Sequence, residues 1–93
     1  MTTKTQIPEF TINQKVYIVE DMYIYKGIIA KRLCEDGQYT YKFKNDKFDI
    51  DYEECFLFKT FREAKNFLAD TTRDMLNDIL KLKKENVKFL YRG

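Results

Sequence analysis

Two hydrophobic periods divide this chain. Across residues 61–90 the apolar positions hold one helical phase. Phe61, Ala64, Leu68, Met75, Ile79, Leu82 and Leu90 fall on one side, and Glu63, Asn66, Asp70, Asp74, Asn77, Lys81, Lys84 and Lys88 on the other. Such a period predicts a long amphipathic helix, running ~45 Å at 1.5 Å per residue. The preceding residues make a domain only ~25–30 Å across. A body that small leaves much of the stripe uncovered, so a second copy or another partner is expected to cover it. Thr60 and Glu63 have the spacing of a capping box and mark the start. Thr71 and Thr72, with Asp74 beyond them, offer a second start. The unbroken phase favours one helix, or two with a slight kink, over a separate second helix.

The same segment has a heptad reading. Leu68, Thr72, Met75, Ile79, Leu82, Asn86 and Phe89 are spaced 4-3-4-3-4-3. Asn86 would be a polar residue in the seam, a device that fixes register and strand number. The alternative is a helix folded back across its own domain with Asn86 at the edge. Leu76, Leu80 and Val87 widen the stripe, which favours a bundle or a broad groove contact over a slim coil. The expected association surface is Leu68, Thr72, Met75, Leu76, Ile79, Leu82, Asn86 and Phe89, with a homodimer or higher oligomer as the product.

Upstream the period falls to two. Residues 16–19 form a short β-rich run, and Asp21 with Met22 reads as a turn. Residues 23–34 form a longer run with Gly27 inside it, where a glycine marks a bulge or sharp bend. Asp36-Gly37 is a strong hairpin signal. Tyr39, Tyr41 and Phe43 then alternate with Thr40, Lys42 and Lys44, which puts one face in the core. Asn45-Asp46 makes the next turn. Phe48 and Ile50 alternate with Asp49 and Asp51. Tyr52, Glu53 and Glu54 read as a connection, and residues 55–58 as a last strand. Five short strands with tight turns suggest a small closed or half-closed barrel, since closure removes exposed edges.

The runs Lys15-Val16-Tyr17-Ile18-Val19 and Lys26-Gly27-Ile28-Ile29-Ala30, the Asp36-Gly37 hairpin and the closing Glu53-Glu54-Cys55-Phe56 resemble an SH3-like or Tudor-like small barrel. Residues 58–64 also look like the strand-to-helix exit of small bacterial and phage proteins. Neither resemblance implies an activity. The expected fold class is α+β: residues 1–13 an N-terminal arm, 14–59 a five-stranded SH3-like small barrel, and 60–93 a long C-terminal amphipathic helix that serves association.

Charge is near balance over the chain but unevenly placed. Residues 1–59 carry nine Lys and Arg against ten Asp and Glu, and residues 60–93 carry eight against five. Lys81, Lys83, Lys84, Lys88 and Arg92 face only Glu85 at the end of the chain. Those five cations are the candidate nucleic-acid contacts. The bland reading is a helix with acids early and lysines late, as its dipole favours.

Aromatics crowd the strand region: Tyr17, Tyr23, Tyr25, Tyr39, Tyr41, Phe43, Phe48 and Tyr52. They suit a cage for a methylated cation or a stack for nucleic-acid bases. Filling the core of a small barrel is the plainer role. Asp46, Asp49, Asp51, Glu53 and Glu54 lack the spacing of a calcium loop and read as a solvated edge. Lys, Asn, Ile, Phe and Tyr, all with AT-rich codons, make up 41 of 93 residues, which fits a bacterium, bacteriophage or mobile element.

Catalysis is constrained by what is missing. The chain has no His and no Ser, which removes Ser-His and Cys-His nucleophiles. Its three glycines form no phosphate loop. Cys34 and Cys55 with carboxylates are a poor zinc set. No enzyme activity, cofactor or metal is expected. No stretch is apolar enough to span a bilayer, and residues 1–10 lack the core of a signal peptide. A cytoplasmic location with reduced cysteines is expected, a disulfide remaining open if the two face each other. The favoured function is a non-catalytic oligomeric binding or regulatory protein, plausibly from a phage or mobile element, that modulates a larger host protein complex. The alternatives are a nucleic-acid-binding regulator using the basic C-terminal residues, and a structural subunit of a larger assembly.

Overall fold

Among the described residues, six strands and two short helices stand in place of five strands and one long helix. The computed structural model describes residues 8–20, 23–46 and 50–90. The strands are β1 (Lys15–Glu20), β2 (Tyr23–Glu35), β3 (Gln38–Phe43), β4 (Tyr52–Glu53), β5 (Leu57–Phe58) and β6 (Lys88–Phe89). The helices are α1 (Phe61–Thr71) and α2 (Leu76–Leu80). Short 3-10 turns lie at Glu54–Phe56, Arg73–Met75 and Lys84–Asn86.

The main path of the sheet runs β4-β3-β2-β1-β5, and β6 adds to β2 in parallel. The 13-residue β2 serves two neighbours in turn. Its first half pairs antiparallel with β1, from Glu20↔Tyr23 to Lys15↔Ile28. Its second half pairs antiparallel with β3, from Ile29↔Phe43 to Glu35↔Gln38. The register shifts between Ile29 and Lys31, so Ala30 is the bulged residue and the strand changes direction there. β4 and β5 end the path without pairing to each other, so the sheet is open. The expected small barrel, closed or half-closed, is thereby corrected: the described strands instead form an open sheet.

Gly27 is not the bulge. It is buried, and a Cβ there would lie 2.8 Å from Phe43 Cδ1 and 3.0 Å from Ile18 Cδ1. The glycine serves close approach of side chains. The hairpin turn falls where expected, with Asp36 at φ 53° and Gly37 at φ 78°, as a two-residue turn of the I′ kind requires. Asn45, at φ 67°, makes the next turn. Residues 52–58 differ from expectation: Tyr52 and Glu53 are strand, and the Glu54–Phe56 turn interrupts what was read as one strand. The Asp21-Met22 turn and the Phe48-Asp49 positions lie outside the described residues.

The central strand β1 explains the core. Val16 and Ile18 point into one cluster, with Phe10, Ile29, Tyr41, Phe43, Tyr52, Leu57 and Leu90. Tyr17 and Val19 point into another, with Ile24, Ala64, Leu68, Ile79 and Val87. Both faces of β1 are covered, so its apolar run is continuous and not alternating.

The long C-terminal helix does not form. α1 starts where the capping box places it, with Thr60 Oγ1 accepting from the Glu63 N–H at 3.2 Å. It ends at the Thr71-Thr72 pair. Thr71 Oγ1 donates back to the carbonyls of Phe67 at 3.0 Å and Leu68 at 3.2 Å, a local bond that competes with helix continuation. Thr72 then leaves helical geometry at φ −138°, ψ 70°. α2 lasts one and a half turns before Lys83 turns extended at φ −122°, ψ 140°. The chain comes back to the sheet as β6. The stripe is long only if it is straight. Broken at Thr72 and Lys83, it places Ala64, Leu68, Ile79 and Val87 against the far face of β1. The length argument for a covering partner is thereby removed.

Candidate functional site

β2 has one edge that β3 and β6 share. β3 leaves it after Lys44, whose N–H donates to the Ile28 carbonyl at 2.9 Å. β6 takes the edge further back: Tyr25 pairs with Lys88 and Lys26 with Phe89. The Leu90 N–H donates to the Lys26 carbonyl at 2.9 Å. β6 also joins the two cores, since Val87 before it enters one and Leu90 after it enters the other.

The returning segment encloses a groove against β2 and α1. Tyr23, Ile24, Tyr25, Phe61, Lys81, Leu82, Lys83, Asn86, Val87 and Lys88 line it, and its volume is about 390 Å³. Tyr25, Val87 and Lys88 continue into a shallower depression with Lys26 and Phe89. Among the described residues, three lysines and no carboxylate line the groove. Of its aromatic wall, Tyr23 is open to solvent at 62% exposed, and Tyr25 and Phe61 are half-buried. The Tyr23 and Tyr25 rings lie 6.3 Å apart at 51°. Lys26 Nζ lies 4.7 Å from the centroid of the Phe89 ring. Ile24, Leu82 and Val87 form an apolar floor continuous with the core.

The opposite charge gathers elsewhere. Glu9, Glu54 and Glu63 line a separate depression with Phe10, Cys55, Leu57, Phe58 and Lys59. Glu54 is committed there, accepting from the Tyr41 hydroxyl and, at 3.0 Å, from the Glu9 N–H. Burial, and then this bond to Glu54, push the Tyr41 phenol well above its ordinary pKa. The Cys55 thiol is also pushed up, by partial desolvation of its sulfur and then by its contact with Glu53 at 3.6 Å, although the residue as a whole is exposed. Cys34 and Cys55 are both free and exposed. The acidic run has structural work: Asp46 accepts from the Ile50 N–H at 3.3 Å, and Asp51 pairs with Lys42 at 2.8 Å. Asp49 lies outside the described residues. Among the described residues, no group of three Cys, Asp or Glu is placed to hold a metal ion. No described helix is long and apolar enough to cross a membrane.

The proposed association seam is dispersed. Leu68 and Ile79 are buried in the protein's own core, and Leu82 packs beside them. Thr72 caps α1, its N–H donating to the Leu68 carbonyl at 3.0 Å. Met75 and Leu76 are exposed near α2, and Phe89 is exposed on β6. Asn86 sits in the groove rim, not in a helical seam. The basic residues fare differently. Lys81, Lys83 and Lys88 converge on the groove, while exposed Lys84 is in the neighbouring turn. Arg92 lies outside the described residues. The aromatic set divides too: Tyr17, Tyr41, Phe43 and Tyr52 fill the core, and Tyr23 and Tyr25 line the groove. Tyr39 lies beside Arg32. Phe61 and Lys26 were missed as site residues. The spacing of Tyr23 and Tyr25 around buried Ile24 is the one local signal that separates them from the core rings.

No protein-family model matches this chain, and no curated protein matches it.

Proposed function

We propose that the protein is a non-catalytic binding module for single-stranded nucleic acid, with the groove as its binding surface. The carrying observation is the lining itself: Lys81, Lys83 and Lys88 beside exposed Tyr23 and half-buried Tyr25 and Phe61, with no carboxylate among the described lining residues. Single strands are held by a cationic track for the backbone and aromatic faces for unstacked bases, each stack worth about 1–3 kcal/mol. A duplex hides its bases from such faces. Three or four lysines, counting Lys26, give a log K against log salt slope of about −2 to −3 on a single strand. Binding is therefore modest and tuned by salt. The test is fluorescence anisotropy with a labelled single strand and the matching duplex. The single strand should bind with that slope, and the joint change Lys81→Glu, Lys83→Glu, Lys88→Glu should abolish binding. Equal affinity for the duplex, or binding indifferent to those substitutions, overturns the proposal.

A protein partner is the second reading. It is favoured by the apolar side chains of Met75, Leu76 and Leu80 around α2, the last 60% exposed. Leu76→Ser with Leu80→Ser would remove that surface while leaving the groove intact, so loss of capture of a protein by this double variant alone separates the two readings.

A further inference from the structure

We infer that the protein associates with a second copy of itself through the outer edge of residues 31–35 of β2, independently of the groove. β1 leaves β2 before this point. The last main-chain bonds on that side are Asn13 N–H to the Ile29 carbonyl at 2.8 Å and Ile29 N–H to the Gln14 carbonyl at 3.0 Å. Beyond them β2 pairs only with β3, and among the described residues no strand pairs with its other edge. Residues 31–38 are exposed throughout, including Leu33 at 39%.

The two-residue turn fixes which groups face outward. Glu35 and Gln38 flank it and exchange main-chain bonds. Lys31, Leu33 and Glu35 therefore aim their N–H and C=O groups at β3. Arg32 and Cys34 aim theirs at the open edge.

An antiparallel pair of two such edges must set outward groups opposite each other, which leaves three two-fold registers. Centring on Arg32 opposes two guanidinium groups and sets Glu35 against Ile29, whose edge already bonds Asn13 and Gln14. Centring on Cys34 sets Arg32 against Asp36, which is in the turn at φ 53°. Centring on Leu33 bonds Arg32 to Cys34 of the second copy, twice by symmetry. It also sets Leu33 on Leu33 and Lys31 opposite Glu35 at both ends. Opposite charges directly across an antiparallel pair stabilise it. Charges on an exposed edge also guard it against unwanted pairing. Here their alternation in sign makes the edge complementary to itself.

Light scattering at high micromolar concentration tests the inference. The wild type should give twice the 11.3 kDa chain mass. Lys31→Glu and Glu35→Lys should each give a monomer with an unchanged circular dichroism spectrum. The combined Lys31→Glu, Glu35→Lys variant should restore the dimer. Leu33→Cys, with Cys34→Ser and Cys55→Ser, should cross-link into a dimer under mild oxidation. A monomeric wild type, a dimer insensitive to the single charge reversals, or no rescue in the combined variant overturns the inference.

Discussion

Lys26 holds Phe89 twice over: its ammonium lies over the ring, 4.7 Å from the centroid, and its residue pairs with Phe89 in the β2–β6 ladder. The contact ties the C-terminal strand to β2 beside the groove. The next residue, Leu90, carries most of that attachment, being 5% exposed in the first core cluster. Leu90→Ala should therefore lower stability by about 2–5 kcal/mol. Lys26→Met should lose only about 0.5–1 kcal/mol, the worth of an exposed cation–π contact. Urea unfolding of the two variants measures both.

A second tie crosses from α1 to the end of α2. Lys65 Nζ donates to the Leu80 and Leu82 carbonyls, each at 3.1 Å. These acceptors sit where the short helix runs out of partners and a cation is favoured. Lys65→Met keeps the aliphatic stem and removes the donor. It should cost roughly 1 kcal/mol. It should also speed amide exchange across residues 79–82 before it affects β1.

Tyr41 gives the protein an alkaline limit. An unfolded tyrosine ionises near pH 10, whereas burial and the bond to Glu54 hold the folded phenol well above that. With a raised folded pKa, the phenol's contribution is complete below about pH 10 and is lost as pH climbs from there towards the folded value. Wild-type stability should fall above about pH 10, and Tyr41→Phe should fall less steeply over the same interval. Chemical denaturation at a series of alkaline pH values compares the slopes.

Gly27→Ala should destabilise without changing the fold class. The added methyl meets Phe43 Cδ1 at 2.8 Å and Ile18 Cδ1 at 3.0 Å. Those are buried side chains of the first core cluster, so relief requires repacking, at about 1–3 kcal/mol. Thermal melting should show a cooperative transition at lower temperature.

The sheet was largely legible because strand signals are local. The run at residues 16–19, the Asp36-Gly37 turn and the Tyr41/Phe43 alternation each describe a few consecutive residues, and each appears as read. The helix was misread because periodicity is blind to direction. Leu68 and Ile79 share a phase whether the chain continues straight or folds back, and both reach the face of β1 by folding back. The Thr71-Thr72 signal was present and was outweighed by the phase. The altered placement changes what a core mutation does: Ile79→Asp would unfold the protein by burying an unpaired charge, where a seam would have dissociated. The groove was half legible. Its lysines stood out as a cluster, but their meeting with Tyr23, Tyr25 and Phe61 depends on the turn at Lys83 and on β6, which no local pattern announced.

The groove as a single-strand site is tested most directly by titrating the isotope-labelled protein with a short single-stranded oligonucleotide and following amide shifts by NMR. The account predicts shifts concentrated at Tyr23, Tyr25, Phe61 and Lys81 to Phe89, growing smoothly with added strand and reversing with salt. Shifts confined to the exposed α2 side chains or the β2–β3 hairpin, or none at saturating oligonucleotide, would contradict it.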